Sequence, residues 1–278
     1  MSASFARARE FVYRSGRVLE RRLFERLFGD ASPEGVVAAV LAYRNADGGF
    51  GNGLEPDKLA PESQPLDVFF ALQTLHEAGA REPEVGRRAC DFLATVANDR
   101  GLVPMVLPSV LRYPRANHWN SVELEAEVGP AVGIAGYLHE LGVQHPWLEL
   151  VTQACFDEIE RAPIEDAHQI HEAVPFARYA PGGEALLPRL ADALPNARWF
   201  LADPADTSYG LPPTKFPREW FDDDLFEAHL DRLDAEQQDD GGWPIAWEPP
   251  GSASVEAWRA IVTIEGLQTL KAHGRLDR

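Results

Sequence analysis

Cysteine is nearly absent from this chain. Only Cys90 and Cys155 occur, both in helical-looking stretches beside apolar residues, so they read as buried free thiols. No run of about 18 apolar residues exists, which excludes a transmembrane helix. The opening MSASFARARE carries charge with no apolar segment behind it, unlike a secretory leader, and the expected location is cytoplasmic. P-loop, GxGxxG, GxSxG and zinc-finger spacings are all lacking. Nucleotide-driven and serine-hydrolase chemistry therefore find no support, and no cofactor is expected. Runs of alternating polar and apolar residues are scarce, so little sheet is expected.

What is present is acid, apolar surface and helical periodicity. Hydrophobic residues make up 45% of the 278 residues, enough for a full core, and the formal net charge is −18. The charge is uneven. Residues 1–28 hold seven arginines against three glutamates, which leaves 19 basic and 41 acidic residues for the rest. So acidic a body repels nucleic acid. The basic segment suits either docking of a first helix on the acidic body, through the stripe Leu19, Leu23 and Leu27, or peripheral contact with an anionic membrane.

Ser32 and Pro33 open a helix through Tyr43, and Ser63 caps one through Leu75 that Gly79 ends. Further helices are expected over 81–98, 121–141, 145–161, 165–179, 183–194, 222–237 and 254–273. Tight turns such as Gly79–Arg81 alternate with long loops over 46–62, 101–120, 202–221 and 239–253. That alternation suits stacked helix hairpins, whose long loops gather at one end, where sites on such scaffolds form.

An internal repeat strengthens this. Asp47-Gly48-Gly49-Phe50 aligns with Asp240-Gly241-Gly242-Trp243, and Glu55-Pro56 aligns with Glu248-Pro249. Two residues later in register, Leu72-Gln73-Thr74-Leu75 aligns with Leu267-Gln268-Thr269-Leu270 and Gly79 with Gly274. The repeat units are clearest over 41–80 and 233–274. Degraded copies are expected at Asp99–Leu102 and Asp206–Leu211. In each turn the glycines permit a close reversal, the aspartate bonds the turn, and the aromatic is an apolar anchor.

Residues 237–243, Gln-Gln-Asp-Asp-Gly-Gly-Trp, resemble the QW repeat of squalene-hopene and related terpene cyclases. Residues 45–51, Asn-Ala-Asp-Gly-Gly-Phe-Gly, resemble the GGFG turn of protein prenyltransferase β subunits. The pattern LEPD at 54–57 with PESQP at 61–65 resembles that of a prenyltransferase-like group of actinobacterial proteins. The resemblance implies an all-α fold, an α/α toroid of five to six helix pairs with little or no sheet, spanning 1–278 as one domain. It also implies an apolar, isoprenoid ligand in a central cavity. The DxDD acid of class II cyclases is missing, since Asp222-Asp223-Asp224 reads as a helix start. Neither Cys90-Asp91 nor Cys155-Phe156-Asp157 follows the Asp, Cys, His order of the prenyltransferase zinc site.

Four groups could carry chemistry. Glu55 and Asp57, with the repeat mate Glu248, would lie at the ring's mouth and could act as acid and base, or else cap helices and loops. Arg112, Tyr113, Asn117, His118 and Trp119 offer a proton carrier beside aromatics, or a loop packed by its own rings. Asp166, His168, His171 and Glu172 could hold a divalent metal, though the spacing matches no tight metal signature. The aromatics Trp119, Trp243 and Trp247 could line a cavity. Three functions fit: an isoprenoid-binding cyclase- or transferase-like protein with Glu55 or Asp57 as proton donor, a carbohydrate-active toroid, and a scaffold that does no chemistry.

Overall fold

The computed structural model describes residues 4–120 and 129–276. These form eleven α-helices joined by turns and short 3-10 segments, with no named strand among the described residues. Five outer–inner helix pairs follow one another: α1 (Phe5–Ser15) with α2 (Val18–Phe28), α3 (Glu34–Leu41) with α4 (Pro65–Glu77), α5 (Pro83–Val96) with α6 (Gly129–Glu140), α7 (Pro146–Arg161) with α8 (Ala167–Tyr179), and α10 (Asp223–Ala235) with α11 (Ser252–Ala272). α9 (Leu187–Ala193) has no helical inner mate. The non-helical segment 197–221 takes that place, where Phe216 meets His171 of α8 and Lys215 meets Glu265 of α11. The degraded copy expected at Asp206–Leu211 is therefore corrected: no inner helix follows it. Of the helix expected over 121–141, the part before Gly129 lies outside the described residues.

The fold is an α/α ring, and it closes through its first helices. α11 packs on both α1 and α2, and α2 packs on α3. The outer helix α5 buries one stripe, Val85, Ala89, Cys90, Phe92 and Leu93, as a surface helix should. The inner helix α6 is buried at every residue from Gly129 to Leu138. Gly136 of α6 meets the backbone at Pro175–Phe176 of α8, so these two helices pack closer than side chains would allow. Both cysteines are buried and free. No helix of the described residues is long and apolar enough to cross a membrane.

The two DGG turns are mechanically identical. Asp47 Oδ1 accepts the Gly49 N–H at 3.0 Å, and Asp240 Oδ1 accepts the Gly242 N–H at 3.1 Å. Gly48 and Gly241 have φ of 93° and 94°. A Cβ on Gly48 would collide with the Arg88 carbonyl of α5, and one on Gly241 with the Arg7 carbonyl of α1. Phe50 and Trp243 then plug the core. Each turn thus seats on the outer helix of the next unit. For the last unit that helix is α1, so the chain's start completes the ring. Gln237 ties the joint, accepting the Ser4 N–H at 2.7 Å and donating to the Ser4 carbonyl at 3.0 Å. The third copy uses Asn98 rather than Asp99: its Oδ1 accepts the N–H of Arg100 and of Leu102.

Two local expectations change. Ser63 does not cap α4; its hydroxyl donates to Asp47 at 2.8 Å, locking the turn to the start of the inner helix. α3 ends at Leu41, two residues before Tyr43. Asp222 does cap α10, accepting the Leu225 N–H at 2.8 Å. Three arginines of residues 1–28 reach the body by hydrogen bonds, while Arg21 and Arg22 bond locally to the Gly16 carbonyl and Glu25. Arg17 donates to the carbonyls of Gly53 and Leu54, Arg26 to that of Ala78, and Arg7 to Gln237.

Candidate functional site

The loop 54–60 enters the ring's mouth and is fixed by a buried charge cluster. Asp67, in the first turn of α4, accepts the Glu55 N–H at 2.7 Å. Lys58, only 1% exposed, reaches Glu55 at 2.8 Å and Asp67 at 3.1 Å. Burial pulls the Lys58 ammonium down, but Asp67 and Glu55 outweigh it and the net shift is upward. Burial raises Asp67 to about 6 despite Lys58. This cluster occupies Glu55 structurally, because its other oxygen accepts the Asp57 N–H at 3.2 Å. Gln64 holds the neighbouring loop, accepting the Leu107 N–H at 2.7 Å and donating to Ser109 at 2.8 Å. Ala116 donates to the Asp57 carbonyl at 2.7 Å, which brings His118 beside the Asp57 side chain.

Asp57 is the group this scaffold presents. Its side chain is 6% exposed. Oδ1 accepts the Trp258 indole N–H at 2.8 Å and the Trp247 indole N–H at 3.4 Å, while Oδ2 lies 3.6 Å from His118 Nε2. Burial first, and the Glu55 charge second, push the carboxyl up to about 7, against the two indole donors and Lys58. Burial lowers His118, so this half-exposed ring is neutral where Asp57 titrates.

Aromatic rings continue from Asp57 around the mouth. Trp247 and Trp258 meet edge to face at 5.1 Å, Phe70 meets Trp258 at 5.7 Å, and Tyr209 meets Trp247 at 5.9 Å. Tyr209 Oη and His168 Nε2 are 3.0 Å apart. Burial, then the Asp57 charge, push the Tyr209 hydroxyl to about 12, so it keeps its proton. His168 Nδ1 lies 4.0 Å from Asp166.

Below the mouth the inner stripes turn polar. On α4 the helical spacing Asp67, Phe70, Gln73, Glu77 runs inward. A cavity of about 40 Å³ is lined by Arg17, Glu20, Gln73, Glu77 and Glu265 together with Leu19, Leu23, Leu54, Phe70, Ile261 and Ile264. Burial and the Glu265 charge raise Glu77 to about 8. Lys215 pairs with Glu265 at 2.6 Å, and burial beside Lys215 lowers His171 to about 4. A larger recess, about 320 Å³, lies between α7 and α8 and includes Asn98, Arg100, Glu158 and Gln169. Its charged pair, Arg100 and Glu158, is mutually satisfied. Asp57 and the indole donors that converge on it line neither cavity; they stand together at the mouth, which is the candidate site.

The other sequence-derived candidates are scattered. Trp247 and His118 touch Asp57, and Trp119 packs edge-on against His118 at 4.8 Å. Arg112 and Tyr113 both bind Glu62, at 2.5 and 3.0 Å, and knit the loop. Trp243 is a core anchor whose indole donates to the Leu233 carbonyl at 2.8 Å. Glu248 is exposed. His168 belongs to the Tyr209 pair, and no cluster of three metal-type ligands exists among the described residues. Sequence reasoning missed Trp258, Tyr209, Lys58 and Asp67. Asp67 had a signal: it is a lone acid in the apolar stretch Pro65–Leu72.

No family model matches the chain, and no curated protein matches it. A crystal structure of a protein from Actinoplanes is similar over 97% of this chain and 98% of that one, with a TM-score of 0.61 and 18% identity. At that identity the likeness concerns the fold alone.

Proposed function

We propose that the protein is an acid–base enzyme that acts on an uncharged, hydroxylated ligand, a saccharide, at the mouth of the ring, with Asp57 as proton donor. The observation that carries this reading is the Asp57 carboxyl, held near neutrality between two indole N–H groups and walled by aromatic rings. Oδ1 is occupied by the indoles, so the transferable proton sits on Oδ2, on the His118 side. As that proton passes to the ligand's leaving oxygen and the C–O bond breaks, the indole donors stabilise the carboxylate left behind. Water adds its hydroxyl to the carbon that lost the oxygen, and the proton it releases goes to solvent. His118, neutral and half-exposed, returns a proton from solvent to Oδ2.

The cavity among α2, α4 and α11 has a mixed lining, with Leu19, Leu23, Leu54, Phe70, Ile261 and Ile264 beside Arg17, Glu20, Gln73 and Glu77, and at about 40 Å³ it is too small for a prenyl chain. That size favours a ligand bound at the mouth, against the rings beside Asp57. The cyclase- or transferase-like reading keeps one support of its own: the edge-to-face rings Phe70, Trp258 and Trp247 beside an acid suit a carbocation. The deciding test is turnover of neutral oligosaccharides and of prenyl diphosphates by the wild type and Asp57→Asn. Saccharide cleavage lost in Asp57→Asn supports the first reading. Turnover of a prenyl diphosphate lost in the same variant supports the second.

A further inference from the structure

Trp199 is the most exposed of the seven tryptophans, at 44%. Its backbone lies in the left-handed region, with φ of 61°. A bulky residue adopts that conformation only at a cost, and only where its surroundings impose it. Here both sides are pinned. Arg198 donates to the Glu165 carbonyl at 2.8 Å and accepts from Ala167 at 2.9 Å, while Leu211 donates to the Trp199 carbonyl at 2.7 Å. The Arg198 guanidinium covers one indole face, 4.7 Å from its centroid. His168 and Tyr209 meet the indole edge-on, at 5.4 and 6.2 Å. Tyr209 is itself 43% exposed and leads on to Trp247, which bonds Asp57.

A bulky residue is a costly choice for this backbone conformation, which glycine adopts without steric strain. We propose that Trp199 and Tyr209 form a saccharide-stacking subsite, remote from the reacting bond, that extends the Asp57 site along the mouth. The C–H face of a pyranose ring packs on an indole or phenol face by apolar burial. The hydroxyls at its rim meet the polar groups that surround the pair. The backbone strain fixes the ring before the ligand arrives, so less is lost on binding. This inference rests on the saccharide reading above.

Calorimetric titration with neutral disaccharides and longer oligomers tests it, on the wild type, Trp199→Gly and Asp57→Asn. Trp199→Gly relieves the backbone strain but gives up the contacts with Arg198, His168 and Tyr209, so thermal melting establishes that the variant is folded before binding is read. The variant should bind longer oligomers about tenfold more weakly while disaccharide affinity is unchanged. Asp57→Asn should bind both as the wild type does. If Trp199→Gly binds long oligomers normally, the subsite is overturned, while loss of turnover in Asp57→Asn would still support the acid. If the wild type binds prenyl diphosphates and no oligosaccharide, both the subsite and its ligand class are overturned. Self-association of the wild type that Trp199→Gly abolishes would make the patch an interface instead, and would also overturn it.

Discussion

Trp258 donates its indole N–H to Asp57 at 2.8 Å, joining the last inner helix to a loop 201 residues earlier in the chain. The bond spans the point where the ring closes. Closure and the state of the acid are therefore physically linked: α1 and α2 hold α11 in place, and α11 holds the donor that steadies Asp57.

Trp258→Phe removes that donor and keeps the ring. The indole lowers the Asp57 pKa, so its loss raises it. A neutral hydrogen bond of about 1 kcal/mol corresponds to a rise of roughly one pH unit. The alkaline limb of the pH–rate profile, where the donor loses its proton, should move to higher pH by that amount. Trp247→Phe, which loses the longer 3.4 Å bond, should move it less.

Asp57 also shapes stability. Its folded pKa, about 7, stands above the ordinary 3.8, so the native state holds a proton that the unfolded chain has released. Stability then falls as pH rises from about 4 to about 7 and levels off above. Glu77, raised to about 8, adds a fall in the same direction that continues to about pH 8. Asp57→Asn should flatten the first part of the slope. At pH 8 it should melt a few degrees higher than the wild type, by roughly 2–4 °C per kcal/mol recovered, while losing turnover. Thermal melts across pH check both.

Lys58→Met strands two buried carboxylates, Glu55 and Asp67. Breaking a buried pair in this way costs about 3–5 kcal/mol. Denaturant unfolding should show that loss, and Arg17→Lys, whose carbonyl contacts lie at the edge of the same loop, should show less.

Gln237→Ala removes both bonds to Ser4 at the closing joint. About 1–2 kcal/mol of stability should be lost. Hydrogen exchange should rise first in α1, whereas Gln64→Ala should raise it in the 105–110 loop.

The ring was legible from residues that act locally. The DGG turns work through bonds two residues long, and Gly48 and Gly241 need positive φ whatever surrounds them. Glycine stops at Gly79 and Gly274 are equally local. The site was legible only in part. Glu55 and Asp57 both read as mouth carboxylates, but nothing local tells that Glu55 is consumed by Lys58 while Asp57 is presented. Trp258 and Tyr209 gave no local signal, because they reach Asp57 and Trp247 across the ring. Ser63 shows the reverse error: a good capping residue by type, it bonds a turn 16 residues away instead of its own helix.

Asp57 as proton donor requires a carboxyl that is protonated close to neutrality in the folded protein. Carboxyl 13C NMR of the aspartate-labelled wild type, with Asp57→Asn to assign the resonance, measures this directly. One aspartate resonance titrating near pH 7 and vanishing in the variant is the predicted result. An Asp57 resonance titrating near pH 4, as an ordinary carboxylate does, would contradict it.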